Sequence, residues 1–467
     1  MPLRKPNFLF FFSDQHRGDW MPYSQQIKQR LGVEQLELHM PNIQRIMENG
    51  LTFTCAVSPA PVCAPARACL ASGQRYRNCR VYQNNVNYDP TLPSFYGILK
   101  ENGYFVTGAG KFDLNKANLT WGNGYHDTLR HMGFSDALDM EGKMDTVWAA
   151  LMAQPGPYGR LLEAHGCLDA YIEDMVNRGA GTQPAPVPPE CYADNWIGAQ
   201  GRRMIDELPT DQPWFLQLNF SGPHDPWDIT QEMYNAMQDR SFPSAADCPQ
   251  KEFVHNQAVR KNYAAMIENI DHQIGLCLDE LERREMLDNT IIIYAADHGE
   301  MMGDHGLYGK SRPEQGSIHI PLVIDASHFG GIKNKYLHTP VELQDLAATF
   351  LDYAGASVPN NWESMSLRPL TEGTAQQVRE TALSELITRG KGTLKSFGCV
   401  TDGTWKLIMR PNQPDRLYHI ENDPFECKDI ITEHPQEAER LRQAFDERGA
   451  SKHPALQKYT QSFHVGI

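Results

Sequence analysis

No apolar run in the chain approaches the roughly 20 residues that a membrane-spanning helix needs, so neither a membrane anchor nor a membrane partner is expected. Positive charge is also scarce. Lysine and arginine number 43 against 58 aspartates and glutamates, a formal net charge of -15. That balance argues against nucleic acid or an anionic membrane surface as partner, because both require a basic face. Cysteines in metal-binding or disulfide spacing are missing as well. The ten cysteines stand at 55, 63, 69, 79, 167, 191, 248, 277, 399 and 427, with neither CxxC pairs nor the density of a secreted disulfide scaffold. They read mostly as buried thiols. No internal repeat or low-complexity tract is visible. The opening "MPLRKPNFLFFFSDQH" sets basic residues before an apolar run, but that run is only about six residues long and lacks a small-residue cleavage site. It reads as a buried first strand, and the protein as cytoplasmic.

What is present is an alternation of strands and helices over 467 residues, the pattern of an α/β fold with a mostly parallel sheet covered on both faces. Short runs rich in branched and aromatic residues predict buried strands at 7–12, 104–109, 214–220, 290–296 and 321–326. "MPNIQRIMENG" predicts a helix entered through Pro41 and ended by Gly50, and Tyr263 to Leu281 recur at helical spacing. "VELQDLAATFLDYAG" predicts another helix ended by Gly355, and the Pro/Gly-rich stretch 155–189 a surface excursion. Beyond about residue 375 the segments "SFGCVTDGTWKLIMR" and "DRLYHIENDPFE" predict antiparallel strands joined by Asp-Gly and Asn-Asp-Pro turns. We therefore divide the chain into a catalytic domain, 1–375, and a small C-terminal α+β domain with an antiparallel sheet, 376–467.

The residues that follow the strands are the informative ones. The first strand runs into Asp14-Gln15, the second into Gly110-Lys111-Phe112-Asp113, the third into Pro223-His224-Asp225 and the fourth into Asp297-His298. Ligands of an open parallel sheet bind beyond the carboxyl ends of its strands, so these four clusters should converge. Asp14, Gln15, Asp297 and His298 offer carboxylate and carbonyl oxygens and one imidazole, a set suited to Ca2+, with Mg2+ or Mn2+ as alternatives. Singly, Asp14 and Asp297 could equally cap helices. Arg67, Lys111, His224 and Lys310 supply local positive charge for an anionic group in an acidic protein.

"CAPARACLASG", Cys63 to Gly73, resembles the signature of the type I, formylglycine-dependent sulfatases of the alkaline phosphatase superfamily: Cys63, Pro65, Arg67, then Ser72-Gly73. The resemblance extends through Asp14-Gln15, "GYFVTGAGK", "GPHDP", "DHGEMMGDHGLYGK", "HIPLVI" and "LYHIENDPFE". It implies an alkaline-phosphatase-like fold and oxidation of Cys63 to formylglycine by a formylglycine-generating or anaerobic sulfatase-maturating enzyme. The hydrated aldehyde is a geminal diol. A divalent metal lowers the pKa of one hydroxyl, which attacks sulfur, and a base takes the proton of the second hydroxyl to release sulfate. By the same resemblance Asp14, Gln15, Asp297 and His298 are metal ligands, Lys111, His224 and Lys310 bind sulfate, and Arg67 stabilises the modified side chain. His224 is also a candidate proton donor to the leaving alcohol.

Departures from the family pattern are informative too. The Gly-Lys-x-His pattern is Gly110-Lys111-Phe112-Asp113 here, so a carboxylate stands where the histidine base is expected. Gln15 replaces an aspartate common in the family, Asn84 stands near its usual asparagine beside the nucleophile, with Asn85 as competitor, and His319 replaces an arginine before "IPLVI". Trp227 and Asp228, just past His224, pair an aromatic face with a carboxylate, a way to hold a sugar ring or, alternatively, simple core packing. The expected function is removal of sulfate from a small sulfated mono- or oligosaccharide. Phosphonate monoester/phosphodiester hydrolysis, aryl sulfatase activity, and a sulfate- or sugar-binding module with unmodified Cys63 are the alternatives. Homo-oligomerisation is left open.

Overall fold

The computed structural model describes residues 5–118, 125–387, 396–411 and 413–449. Thirteen strands form two sheets: β1 (Asn7–Asp14), β2 (Leu51–Val57), β3 (Phe105–Gly110), β4 (Leu138–Asp139), β5 (Trp214–Pro223), β6 (Thr290–Ala296), β7 (His319–Asp325), β8 (Lys335–Leu337), β9 (Val341–Glu342), β10 (Ala382–Leu386), β11 (Phe397–Thr401), β12 (Trp405–Met409) and β13 (Arg416–His419). The large sheet runs β4-β3-β5-β1-β6-β7-β2-β8, with β9 also paired to β2. Its pairings are parallel except those of β7, which runs antiparallel to both β6 and β2.

β1 sits in the middle because it has no polar face to expose. All eight of its residues are buried. Alternation along a strand sends Phe8, Phe10 and Phe12 into one core and Leu9 and Phe11 into the other. Fully burying each aromatic ring contributes about 1.5–3 kcal/mol. The first core is closed by the helices Cys63–Ser72, Phe95–Glu101 and Asp345–Ala354, the second by Ala193–Glu207 and the long Phe253–Arg283. The helix Pro41–Asn49 begins at its proline and stops before Gly50, as its sequence predicts.

Two expectations need correction, and one strand was not expected. Val341–Glu342 pairs with β2, so the helix ending at Gly355 starts only at Asp345. The 155–189 stretch is no bare excursion: it holds the helices Pro157–Ala164 and Leu168–Arg178, whose apolar residues Tyr158, Leu162, Tyr171 and Met175 are buried. β2, a segment interrupted by threonines and a cysteine, is a full strand of the large sheet.

The second sheet is the antiparallel meander β10-β11-β12-β13. The helix Pro435–Gly449 covers it through Leu441 and Phe445. It is tied to the first unit through Glu385, whose N–H donates to Pro59 O at 2.9 Å and whose carboxylate pairs with Arg77. Arg448 closes on Glu342 at 2.7 Å. Among the described residues no helix is long and apolar enough to cross a membrane.

Candidate active site

The carboxyl ends of β1, β3, β5 and β6 open on the same edge of the sheet and deliver Asp14, Lys111, His224 and Asp297 there. β2 runs in the same sense. Six residues after its last member, the helix Cys63–Ser72 starts with Cys63, and all ten of its residues are buried. A helix start carries partial positive charge and free N–H groups. Val62, at the cap, has no side-chain bond to give, and Asn84 substitutes from a distance: its Oδ1 accepts from the Ala64 N–H at 3.1 Å. The far end turns through Gly73 at φ 60°, where a Cβ would lie 2.2 Å from the Trp362 ring.

Cys63 Sγ is the meeting point. Lys310 Nζ lies 2.8 Å from it, His298 Nε2 3.3 Å, Asp14 Oδ1 3.7 Å and Lys111 Nζ 3.8 Å. Arg67, one turn on from Cys63, donates through Nε to Asp297 at 2.9 Å and through Nη2 to Asp14 at 3.3 Å, with its guanidinium over the Phe12 ring. Lys111 pairs with Asp14, and Lys310 with Nε2 of His224. His224 donates from Nδ1 to the Asp225 carbonyl, which leaves Nε2 as acceptor for the Lys310 ammonium.

The electrostatics follow from this crowding. Burial raises the Asp14 pKa, but Lys111, His224, Lys310 and Arg67 more than offset it, so its carboxyl is held well below the usual range. Burial and Asp14 disfavour a Cys63 thiolate, yet Lys111, Lys310 and His298 outweigh them and the thiol titrates well below its ordinary value. Burial opposes charge on Lys310, which Cys63 and Asp14 restore.

Asp14, Cys63, Asp297 and His298 place ligand atoms within 4.8 Å of one another. The residues fit a hard cation. Two ionisable carboxylates and one imidazole converge, and the buried Oε1 of Gln15 has no hydrogen-bond partner. Gln15 itself is pinned with φ at 69°, its N–H on Asp297 Oδ1 at 3.0 Å and its carbonyl accepting from Tyr263 at 2.6 Å.

Asp113, also at positive φ (54°), is buried between Lys111 at 3.4 Å and Lys116 at 3.2 Å, and Lys116 continues to Asp145 at 2.7 Å. The structure also places three further residues singled out from sequence. Asp228 does not face a substrate pocket: it is 2% exposed and ion-paired to Lys143 at 2.6 Å. Lys143 also donates to the carbonyls of His224 and Pro226, at 2.9 and 3.1 Å, so the pair ties down the loop that carries His224. Trp227 is 6% exposed and stands edge-on to Tyr308 and His255. It forms the floor of an aromatic cluster, and its more accessible members are those two rings. His319 lies against Gly18, where a Cβ would come within 2.7 Å of its ring, and its described contacts do not include Cys63. Lys143 and Lys116 were not singled out from sequence, and Glu300 only as the end of the polar cluster Asp297-His298-Gly299-Glu300 after the fourth strand. Nothing marks a lysine as a loop tie until the fold brings it to a partner 81 residues away.

The family model described as Sulfatase matches residues 6–356, and the one described as N-sulphoglucosamine sulphohydrolase, C-terminal, matches residues 303–450. Choline-sulfatase of Rhizobium meliloti (strain 1021) is 27% identical over 463 residues, covering 92% of this chain and 83% of that protein. The solved structure of the phosphonate monoester hydrolase of Agrobacterium radiobacter superposes with a TM-score of 0.77 at 22% identity over 95% of each chain. A protein solved in complex with its substrate D-glucosamine-2-N,6-O-disulfate superposes with a TM-score of 0.74 at 18% identity, covering 98% of this chain and 99% of that one.

Proposed function

Since the chain belongs to the sulfatase family of the alkaline phosphatase superfamily, we propose that it hydrolyses the sulfate ester of a small sulfated mono- or oligosaccharide, using a formylglycine made from Cys63 and a divalent cation, Ca2+ by preference. One observation carries this reading. The Cys63 side chain lies at a buried helix start, with the Asp14 carboxylate and the ammonium groups of Lys111 and Lys310 against its sulfur and Asp297 in the same cluster. The sulfur of Cys63 stands where the reactive oxygen of the modified side chain would be.

Asp14, Gln15, Asp297 and His298 would hold the divalent cation, whose Lewis acidity would lower the pKa of that hydroxyl. The remaining work belongs to the chain. Lys111 and Lys310 flank the Cys63 side chain and neutralise the sulfate as charge builds on its oxygens. Lys310 and Nε2 of His224 share a proton, the one handed to the departing alcohol oxygen. Arg67 holds Asp14 and Asp297 in place from the helix that carries Cys63. Asp113 takes the proton from the second hydroxyl of the hydrated side chain, releasing sulfate.

The aromatic cluster supports a sugar. Tyr308 precedes Lys310 by two positions and Trp227 follows His224 by three, so His255 and Tyr308 offer rings beside the sulfate-binding groups. All ten cysteines are unpaired, in keeping with a reducing, cytoplasmic setting.

The test is the mass of the tryptic peptide Ile46 to Arg67 from protein made beside a maturation enzyme, followed by rates on aryl sulfate, phosphodiester and sulfated-sugar panels. An aldehyde at position 63 with fastest turnover of sulfated sugars is expected. A free thiol despite competent maturation would overturn formylglycine chemistry and favour a binding module, and preference for the phosphodiester would move the reaction to phosphorus.

A further inference from the structure

Gln15 is the member of the presumed donor set whose two ends are chemically opposite: its amide can present either an oxygen or an NH2 to a cation. Its surroundings decide which. Nε2 donates to Glu300 Oε2 and to Asp225 Oδ1, the latter at 3.1 Å. Both partners are carboxylates, and only the NH2 end can satisfy them. Oε1 is thereby left as a buried acceptor without a partner, on a residue whose own N–H is bonded to Asp297. Glu300 cannot easily turn away. It is fully buried, and its other oxygen accepts from the N–H groups of Met302, at 3.0 Å, and Gly309. Asp225 is the looser partner, its side chain 47% exposed.

We propose that Glu300 is a positioning residue, assisted by Asp225, that fixes the flip of the Gln15 amide so that its carbonyl oxygen completes the divalent-cation site. The inference rests on the reading of Asp14, Gln15, Asp297 and His298 as cation ligands. It explains how a neutral side chain serves there. A carboxylate can bind through either oxygen, whereas an amide works only if its wrong end is already occupied. Glu300 occupies that end.

The experiment is calorimetric titration of the mature protein with Ca2+ alone and Mn2+ alone. In Glu300→Gln the new side chain can still accept from Met302 and Gly309 with its oxygen, and it points an NH2 at Gln15. The Gln15 amide then turns its oxygen outward and offers NH2 to the cation, and affinity should fall by about tenfold to a hundredfold, the usual range for residues that orient ligands. Adding Gln15→Glu to Glu300→Gln gives oxygen at both ends of residue 15, and affinity should return to within a few-fold of the parent. Far-ultraviolet circular dichroism and melting in excess chelator should match the parent for both proteins. Three results overturn the proposal: parental affinity in Glu300→Gln, equal weakness in the single and double variants, or a chelator-independent loss of folding in both. A parent that binds neither cation fails differently, since it removes the cation site itself and the proposal with it.

Discussion

The ammonium of Lys310 stands 2.8 Å from the sulfur of Cys63, across 247 positions of sequence, and its other partner is Nε2 of His224. Lys310 therefore touches both the residue expected to attack and the residue expected to protonate the leaving group. Replacing it by alanine should lower kcat/KM on the best sulfate ester by roughly a hundred- to a thousandfold, the scale of losing one preorganised charge-stabilising donor. Lys310→Arg should rescue little, because a planar fork does not reproduce a point charge between two groups. Activity within tenfold of the parent in Lys310→Ala would exclude that contact.

Asp113 separates two roles by kinetics. If it is the base that frees sulfate, Asp113→Asn should accumulate a sulfated enzyme after one rapid turnover, visible as added mass on the Cys63 peptide. If it only steadies Lys111 and Lys116, no sulfated peptide will form and KM will rise instead.

The Lys143–Asp228 pair predicts a split between stability and turnover. Lys143→Met leaves a buried carboxylate uncompensated and should cost about 3–5 kcal/mol in urea unfolding. Lys143→Met with Asp228→Leu should recover most of that stability. Turnover should stay low in the double variant, because the carbonyls of His224 and Pro226 lose their common donor. Full activity in the double variant would show that the His224 loop needs no such tie.

His319 contributes to acid sensitivity. Burial pushes its pKa down from 6.5 to about 4. The unfolded chain therefore binds a proton that the folded one refuses between those values, so this contribution to stability is present above pH 6.5 and is lost as pH falls toward 4. His16, buried between Tyr294 and the Trp20 carbonyl, behaves alike, also reaching about 4. His319→Gln should flatten the acid limb of stability against pH by about one proton, roughly 1.4 kcal/mol per pH unit. An unchanged slope in urea titrations from pH 7 to 4.5 would contradict this.

Much of this was legible in the sequence for a physical reason. β1, β5 and β6 are buried on both faces, so β1 and β6 read as apolar runs and β5 as one broken by Gln217 and Asn219, and the polar residues that follow them stand out. Asp14, His224 and Asp297 are singled out that way, and Lys111 by its place after β3. β2 was less legible because Thr52, Thr54 and Cys55 interrupt it, although they too are buried. Asp228 misled because an aromatic residue beside a carboxylate looks the same on a sugar site as in a buried ion pair. Only the approach of Lys143 distinguishes the two, and that approach is a property of the fold.

The complete burial of Cys63 carries a consequence for the order of events in the life of the chain. The residue opens a helix with no exposed member, and Lys310 stands against its sulfur. Under the proposed chemistry a second enzyme would have to reach the Cys63 side chain in "CAPAR", which the finished fold buries. On the proposed formylglycine chemistry, modification would then compete with folding, and the fraction of active molecules would depend on which comes first.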